Sequence, residues 1–173
     1  MRLLVWIPIF SIVVVAAGYV AIIRSAGDRP ADVLTAPFVV AYLGLMAVLL
    51  AISTLDAPVV RGLRAALRGA ASAGLLVLGV LGLFSIGLPI LFAGAVATAA
   101  TVMTLVSRPT VWQAVSAGAA GLVAVVVLLA GFEFVWHYLV CPSTGISART
   151  TPGIFVRSYS YECSYGHLKI NSG

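Results

Sequence analysis

Charged residues divide this chain into a series of long apolar runs. Three of the runs have similar lengths, at 3–23, 33–55 and 109–132. A helix of about 20 apolar residues crosses the ~30 Å hydrocarbon core of a bilayer, so each of these runs fits one crossing. The fourth run has 39 residues without a charge, between Arg68 and Arg108. As a single helix it would reach roughly 58 Å, nearly twice the membrane, so we expect it to fold back on itself.

The sequence Ser-Ile-Gly-Leu-Pro at 85–89 is where we place this reversal, because glycine relaxes the limits on the backbone and proline removes a helical donor. The pattern then predicts an all-α integral membrane protein with a transmembrane bundle over 1–140 and a tail over 141–173. A four-span alternative, in which the third helix is overlong, also places an acceptable number of positive charges on the cytoplasmic side. The charges therefore do not decide between the two topologies. The five predicted spans lie near 3–23, 33–55, 68–85, 88–107 and 111–138.

Composition supports the membrane class. The chain is 62% hydrophobic and 9% charged, whereas soluble domains carry about 25% charged residues. The formal net charge is +5, but the basic residues are scattered and are not interleaved with stacking aromatics, so we expect no nucleic-acid partner. The spans leave little chain for a soluble catalytic domain. Any activity would therefore have to be built within the bundle or the tail.

Three arginines precede the long uncharged run. Arg61, Arg64 and Arg68 fall on one face of a short basic interfacial helix that is predicted to open near Asp56 and Pro58. Basic residues of this kind are typical of cytoplasmic loops, and they are attracted to anionic lipid. We expect these three side chains to contact lipid headgroups or an acidic partner.

The distribution of arginine also predicts an orientation. A cytoplasmic amino terminus puts Arg2, Arg108 and the three arginines of the basic segment on the inner side, and five spans then put the carboxyl terminus outside. We expect the first span to be retained, because about 21 apolar residues exceed the 7 to 15 of a signal peptide's apolar core. The composition, rich in alanine, valine and arginine, is typical of a genome rich in G and C, and we expect the bilayer to be a prokaryotic plasma membrane.

The tail is predicted to be a small extracytoplasmic unit. Cys141 and Cys163 are expected to form a disulfide there, since disulfides persist outside the cytoplasm. Closing that loop would contribute about 3 kcal/mol in the chain-entropy model. Tyrosine and cysteine alternate with polar residues over 158–165, which predicts short β structure, either a hairpin or an extended flap. Two unrelated thiols in a cytoplasmic tail remain the alternative.

Glu133 and His137 are the candidate chemical pair. They lie four residues apart on the last span, so they share one helical face and could share a proton or a cation. Glu133 is also only about five residues, roughly 7 to 8 Å, from the predicted helix end, so a structural hydrogen bond is the competing interpretation. No ligand spacing for a metal, no second intramembrane histidine for a haem and no Gly-x-Ser-x-Gly nucleophile motif is present. We expect no cofactor, no metal and no catalytic residue.

Small residues crowd the last three spans and predict close helix packing. Trp112 and Trp136 would lie near opposite membrane interfaces, as aromatic belts do. The small and hydroxyl residues are Ala70, Gly74, Gly79, Gly82, Ala93, Ala97, Thr98, Thr101, Thr104, Ala117, Gly118 and Gly121.

Elimination of these chemistries favours a non-catalytic accessory or structural subunit of a larger membrane assembly. Its expected partners are the lipid bilayer and other membrane subunits or further copies of the chain, meeting it at the small-residue helix faces and the tail. The alternative is a small proton- or cation-coupled transporter or channel that uses Glu133 and His137. A thiol redox enzyme built on Cys141 and Cys163 is disfavoured, because reactive pairs are normally much closer in sequence.

Overall fold

The computed structural model describes residues 2–25, 34–83, 86–107, 110–137, 146–151, 159–164 and 167–171. Within these residues five α-helices are followed by a three-stranded sheet. All five helices are long and apolar enough to cross a membrane, which supports the predicted multi-pass fold over the four-span alternative. The helices are α1 (Arg2–Ser25), α2 (Thr35–Ile52), α3 (Pro58–Leu81), α4 (Gly87–Ser107) and α5 (Val111–His137).

The predicted reversal lies between α3 and α4. Helix α3 ends at Leu81, and the N–H of Gly87 donates to the carbonyl oxygen of Gly82 at 2.7 Å, which closes the turn. A Cβ at Gly87 would collide with the backbone of Gly79 and Gly82, so the turn requires glycine there. Pro89 lies in the first turn of α4, where a backbone donor is not needed. The side of the bundle that carries this turn is called the hairpin side below.

The beginning of α3 corrects the prediction of a separate basic interfacial helix. Pro58 occupies the first turn of one continuous helix that runs to Leu81, and proline is well suited to that position because its φ is preset. Arg61, Arg64 and Arg68 therefore lie on α3 itself. The predicted span began ten residues late because a charge normally marks the end of a span, whereas Arg68 is accommodated inside this bundle.

Helix α3 is the centre of the bundle. It packs most extensively on α4 and α5 and also contacts α2, while α1 packs on α2 and α4. A Cβ at Gly69 would lie only 2.5 Å from the carbonyl oxygen of Ala117, so α3 and α5 cross almost backbone to backbone. A Cβ at Gly121, one turn further along α5, would meet the Cβ of Ala73 at 3.1 Å. These contacts confirm that small residues allow the helices to approach closely, although Gly118 faces open space instead.

Large apolar side chains line both the interior and the outside of the bundle. Buried residues such as Leu43, Leu75 and Leu128 form one continuous core. Outward-facing residues such as Phe10 and Leu122 are mostly exposed, as expected for helices that face hydrocarbon rather than water.

The tail forms an antiparallel sheet with the strand order β1 (Ile146–Thr151), β2 (Tyr159–Ser164) and β3 (His167–Asn171). Tyr161 and Cys163 are buried and Glu162 between them is exposed, which confirms the predicted alternation. The sheet has one strand more than the predicted hairpin. No described strand packs extensively on a helix, so the described part of the sheet forms a unit beside the bundle.

Candidate functional site

Arg68 is the buried charge of the described bundle. It lies ten residues into α3, about 15 Å along the helix axis, and only 7% of its surface is exposed. Its Nε donates to the hydroxyl of Ser53 at 3.3 Å, and its guanidinium donates to the hydroxyl of Thr104 at 2.6 Å. Arg68 therefore connects α3 to the end of α2 and to α4. It does not share the exposed surface predicted for the three arginines.

The two hydroxyls that receive Arg68 also donate to their own helices. Ser53 donates to the carbonyl oxygen of Leu50 at 2.7 Å, and Thr104 donates to that of Ala100 at 2.7 Å. Each hydroxyl thus accepts a hydrogen bond from the guanidinium and donates one to a backbone carbonyl oxygen, an arrangement in which neighbouring hydrogen bonds polarise one another. The cluster of Arg68, Ser53 and Thr104 is called the arginine cluster below.

The other two arginines of α3 lie nearer the helix start. Arg64 donates to the carbonyl oxygen of Leu55 at 3.0 Å and forms an ion pair with Asp56 at 3.4 Å, so it holds the loop between α2 and α3. Arg61 is exposed. The predicted headgroup contact is therefore compatible with Arg61, while Arg64 and Arg68 are largely engaged within the protein.

A second polar connection crosses the middle of the bundle. The hydroxyl of Tyr42 on α2 donates to the carbonyl oxygen of Ala124 on α5 at 2.9 Å. The tyrosine reaches α5 by passing over Gly74 of α3, where an added Cβ would lie 2.5 Å from the phenol oxygen. Tyr42 also stacks obliquely on Phe38, whose ring meets Phe132 edge to face at a centroid distance of 5.2 Å. This tyrosine bridge fills the space between α2, α3 and α5.

Three threonines spaced three residues apart form a short polar stripe on α4, and their hydroxyls bond within the helix. Thr98 donates to the carbonyl oxygen of Gly94 at 2.8 Å, and Thr101 donates to that of Ala97 at 2.8 Å. Threonine hydroxyls commonly bond in this way within a helix, so the stripe does not indicate a water-lined path.

A cavity of about 240 Å³ lies at the hairpin side and is called the hairpin-side cavity below. All five helices contribute to its wall, and the lining is apolar except for the hydroxyl-bearing Tyr19 and Thr35. The lining residues are Tyr19, Thr35, Val39, Leu78, Leu81, Gly82, Ile86, Ile90 and Phe132.

The predicted pair of Glu133 and His137 lies on the last two turns of α5, on the hairpin side. Glu133 is half-buried and follows Phe132, which lines the hairpin-side cavity. The backbone of His137 is helical, but its side chain falls outside the described residues, so their pairing stays a prediction. Glu133 has interactions of its own within the structure.

Only one cysteine of the predicted disulfide lies among the described residues. Cys163 is fully buried in β2, while Cys141 lies outside the described residues, so their disulfide also stays a prediction. Among the described residues, no three histidine, cysteine or acidic side chains are grouped as they would be around a metal ion.

Comparison of this chain with protein-family models, with curated proteins and with solved structures gives no match. The chemistry of the chain must therefore be argued from its own residues. Sequence reasoning found the arginines and the threonines separately but missed the arginine cluster and the tyrosine bridge. Both join residues far apart in sequence, and neither Tyr42 nor Ser53 stands in a local pattern that marks it.

Proposed function

We propose that this chain is a non-catalytic membrane protein that serves as an accessory or structural subunit of a larger assembly. It resides in a prokaryotic plasma membrane with its amino terminus in the cytoplasm and its tail outside. The observation that carries this proposal is the tyrosine bridge, because it fills the middle of the bundle with a tightly packed side chain. A bundle fastened in this way suits a rigid subunit better than a moving transporter.

The packing on either side of the tyrosine bridge supports the same conclusion. Met46 and Leu75 are almost completely buried next to Tyr42, between the hairpin-side cavity and the arginine cluster. The hairpin-side cavity and the arginine cluster are therefore separated by a layer of close-packed apolar side chains. A conduit would need that layer to open, at the loss of the packing around Tyr42 and of its hydrogen bond to Ala124.

The sheet is the proposed surface for protein partners. The other predicted partner surface, the small-residue helix faces, is used within the bundle where Ala117 and Gly121 of α5 lie against α3. The sheet, in contrast, exposes Ile170 as well as charged residues, with Ile170 54% exposed. A disulfide between Cys141 and Cys163 would fix this small sheet, and we include it in the proposal.

Site-specific photocrosslinking tests the subunit role. A photoreactive amino acid at Ile170 should give an adduct heavier than the monomer in the native membrane, and a mild detergent extract should migrate above monomer size. The matched control is Leu122, which faces hydrocarbon and is 68% exposed, and which should crosslink only to lipid. Monomeric migration together with no protein adduct at Ile170 would contradict the subunit role.

The alternative function is proton- or cation-coupled transport through Glu133 and His137. The observation that favours it is a half-buried acidic residue within the last two turns of a span, because an ionisable residue inside a membrane segment is by default a candidate ion site. Purified protein in vesicles should then move protons or cations, and Glu133→Gln should abolish that flux while the protein still folds. The subunit role instead predicts no flux in the parent protein, and an unchanged partner adduct in Glu133→Gln.

A further inference from the structure

The hairpin-side cavity is not used by the arginine cluster or by the tyrosine bridge. It is half-enclosed, and its wall contains side chains from every helix, with Leu78 and Ile90 almost completely buried at the back. Leu81 at the end of α3 is half-exposed at its edge. Because all five helices line it, the cavity forms only when the whole bundle is assembled. It is not a packing gap between two neighbouring helices.

The size and lining of the cavity restrict what can fill it. An enclosed apolar cavity of about 150 Å³ stays dry and accepts small apolar molecules, and most of the lining here is apolar too, which favours an apolar occupant over water. The volume of about 240 Å³ is smaller than the roughly 300 to 1,000 Å³ of pockets for compact drug-sized ligands. A segment of a narrow hydrocarbon chain, inserted from the open side, suits both this volume and the mostly apolar lining.

The position of the cavity identifies the source of that chain. Its helical residues lie within two turns of the helix ends on the hairpin side, which are the beginnings of α2 and α4 and the ends of α1, α3 and α5, near the membrane surface. The acyl chains of lipid are the hydrocarbon available there, and filling the cavity restores dispersion contacts that an empty space would lose. Thr35 begins α2, so the polar part of the lining lies at the end nearest the lipid headgroups.

We propose that the hairpin-side cavity binds one acyl chain of a phospholipid whose headgroup stays at the interface. Binding holds the ends of the five helices together and does not depend on whether the chain is a subunit or a transporter.

Lipid retention by the purified full chain tests this proposal. The parent protein is extracted in mild detergent, washed, loaded with palmitoyl-oleoyl phosphatidylglycerol and analysed by native mass spectrometry. Two variants should block the site: Ile90→Phe fills the back of the cavity, and Leu81→Trp covers its edge without overpacking the interior. The matched control is Leu88→Phe on α4, where the side chain faces outward and is 68% exposed.

We expect the parent and the Leu88→Phe control to keep one tightly held lipid, and the blocking variants to lose affinity for it by roughly tenfold or more. The added lipid should raise the melting temperature of the parent and of the control but not that of Leu81→Trp. If Ile90→Phe fails to fold, Leu81→Trp decides the outcome by itself. No retained lipid in the parent, or equal retention in Leu81→Trp and the control, would overturn the proposal.

Discussion

Arg68 shows how a single residue can be charged and yet belong to the interior of a membrane bundle. Its guanidinium is shared between hydroxyls of α2 and α4, and those hydroxyls are already anchored to backbone carbonyls. The loss of a hydroxyl that accepts from Arg68 should therefore change the free energy of unfolding by a different amount from the loss of the guanidinium itself.

Thr104→Val should destabilise the protein by roughly 1.5 to 3 kcal/mol, because it leaves a buried cation with one acceptor fewer. Arg68→Met should cost less, since Ser53 and Thr104 keep their own carbonyl acceptors after the charge is gone. Thermal unfolding in detergent compares the two variants. In the double variant the valine should add little further loss, and a larger cost for Arg68→Met than for Thr104→Val would contradict this interpretation.

Tyr42 makes a different kind of contribution, in which ring packing outweighs the hydrogen bond. Tyr42→Phe should lower the free energy of unfolding by only about 0.6 kcal/mol, the typical value for a hydrogen bond between membrane helices. Tyr42→Ala also empties the space beside Gly74 and should cost roughly 3 to 5 kcal/mol. Equal losses in the two variants, measured by the same unfolding assay, would mean that the hydrogen bond is the dominant contribution.

At the scale of elements, the pairing of α3 with α5 depends on glycine at one crossing point. Gly69→Ala should destabilise the protein by about 1 to 3 kcal/mol, because the new methyl group would overlap the backbone of Ala117 and force the helices apart. Gly118→Ala is the matched control, since no atom lies within 4 Å of its added Cβ. This control should stabilise the protein by up to about 1 kcal/mol through helix propensity. Unfolding measurements that gave both variants the same sign would contradict the close crossing.

The sequence predicts the existence of the five helices well and the beginning of α3 poorly. Apolar length is a local property, so the four other spans begin or end within a few residues of expectation. The start of α3 depends on whether a charge at Arg68 can be accommodated, and that is decided by Ser53 and Thr104 on other helices. The third strand, in contrast, has a local signal that the prediction did not use, because His167–Asn171 alternates polar and apolar residues as a half-buried strand does, and it pairs with β2.

For the molecule as a whole, the side of the membrane on which the tail lies shows which way the five spans are oriented. In the proposed orientation, with a cytoplasmic amino terminus, the five spans put Cys141 and Cys163 outside. A maleimide that cannot cross the membrane should therefore label intact cells only after reduction, since a disulfide blocks both thiols. Labelling that requires opened cells but no reductant would place the thiols inside and reverse the proposed orientation.

The arginine cluster also has a consequence for the order in which the chain enters the membrane. An arginine at the centre of a span costs roughly 2.5 to 3.5 kcal/mol on the insertion scale. One of its acceptors, Thr104, is 36 residues further along the chain, which corresponds to about 2 to 7 s of synthesis at typical rates. During that interval Arg68 lacks its hydrogen-bond acceptor on α4. We therefore expect α3 to integrate stably only when α4 is present, so that the two helices enter the bilayer together.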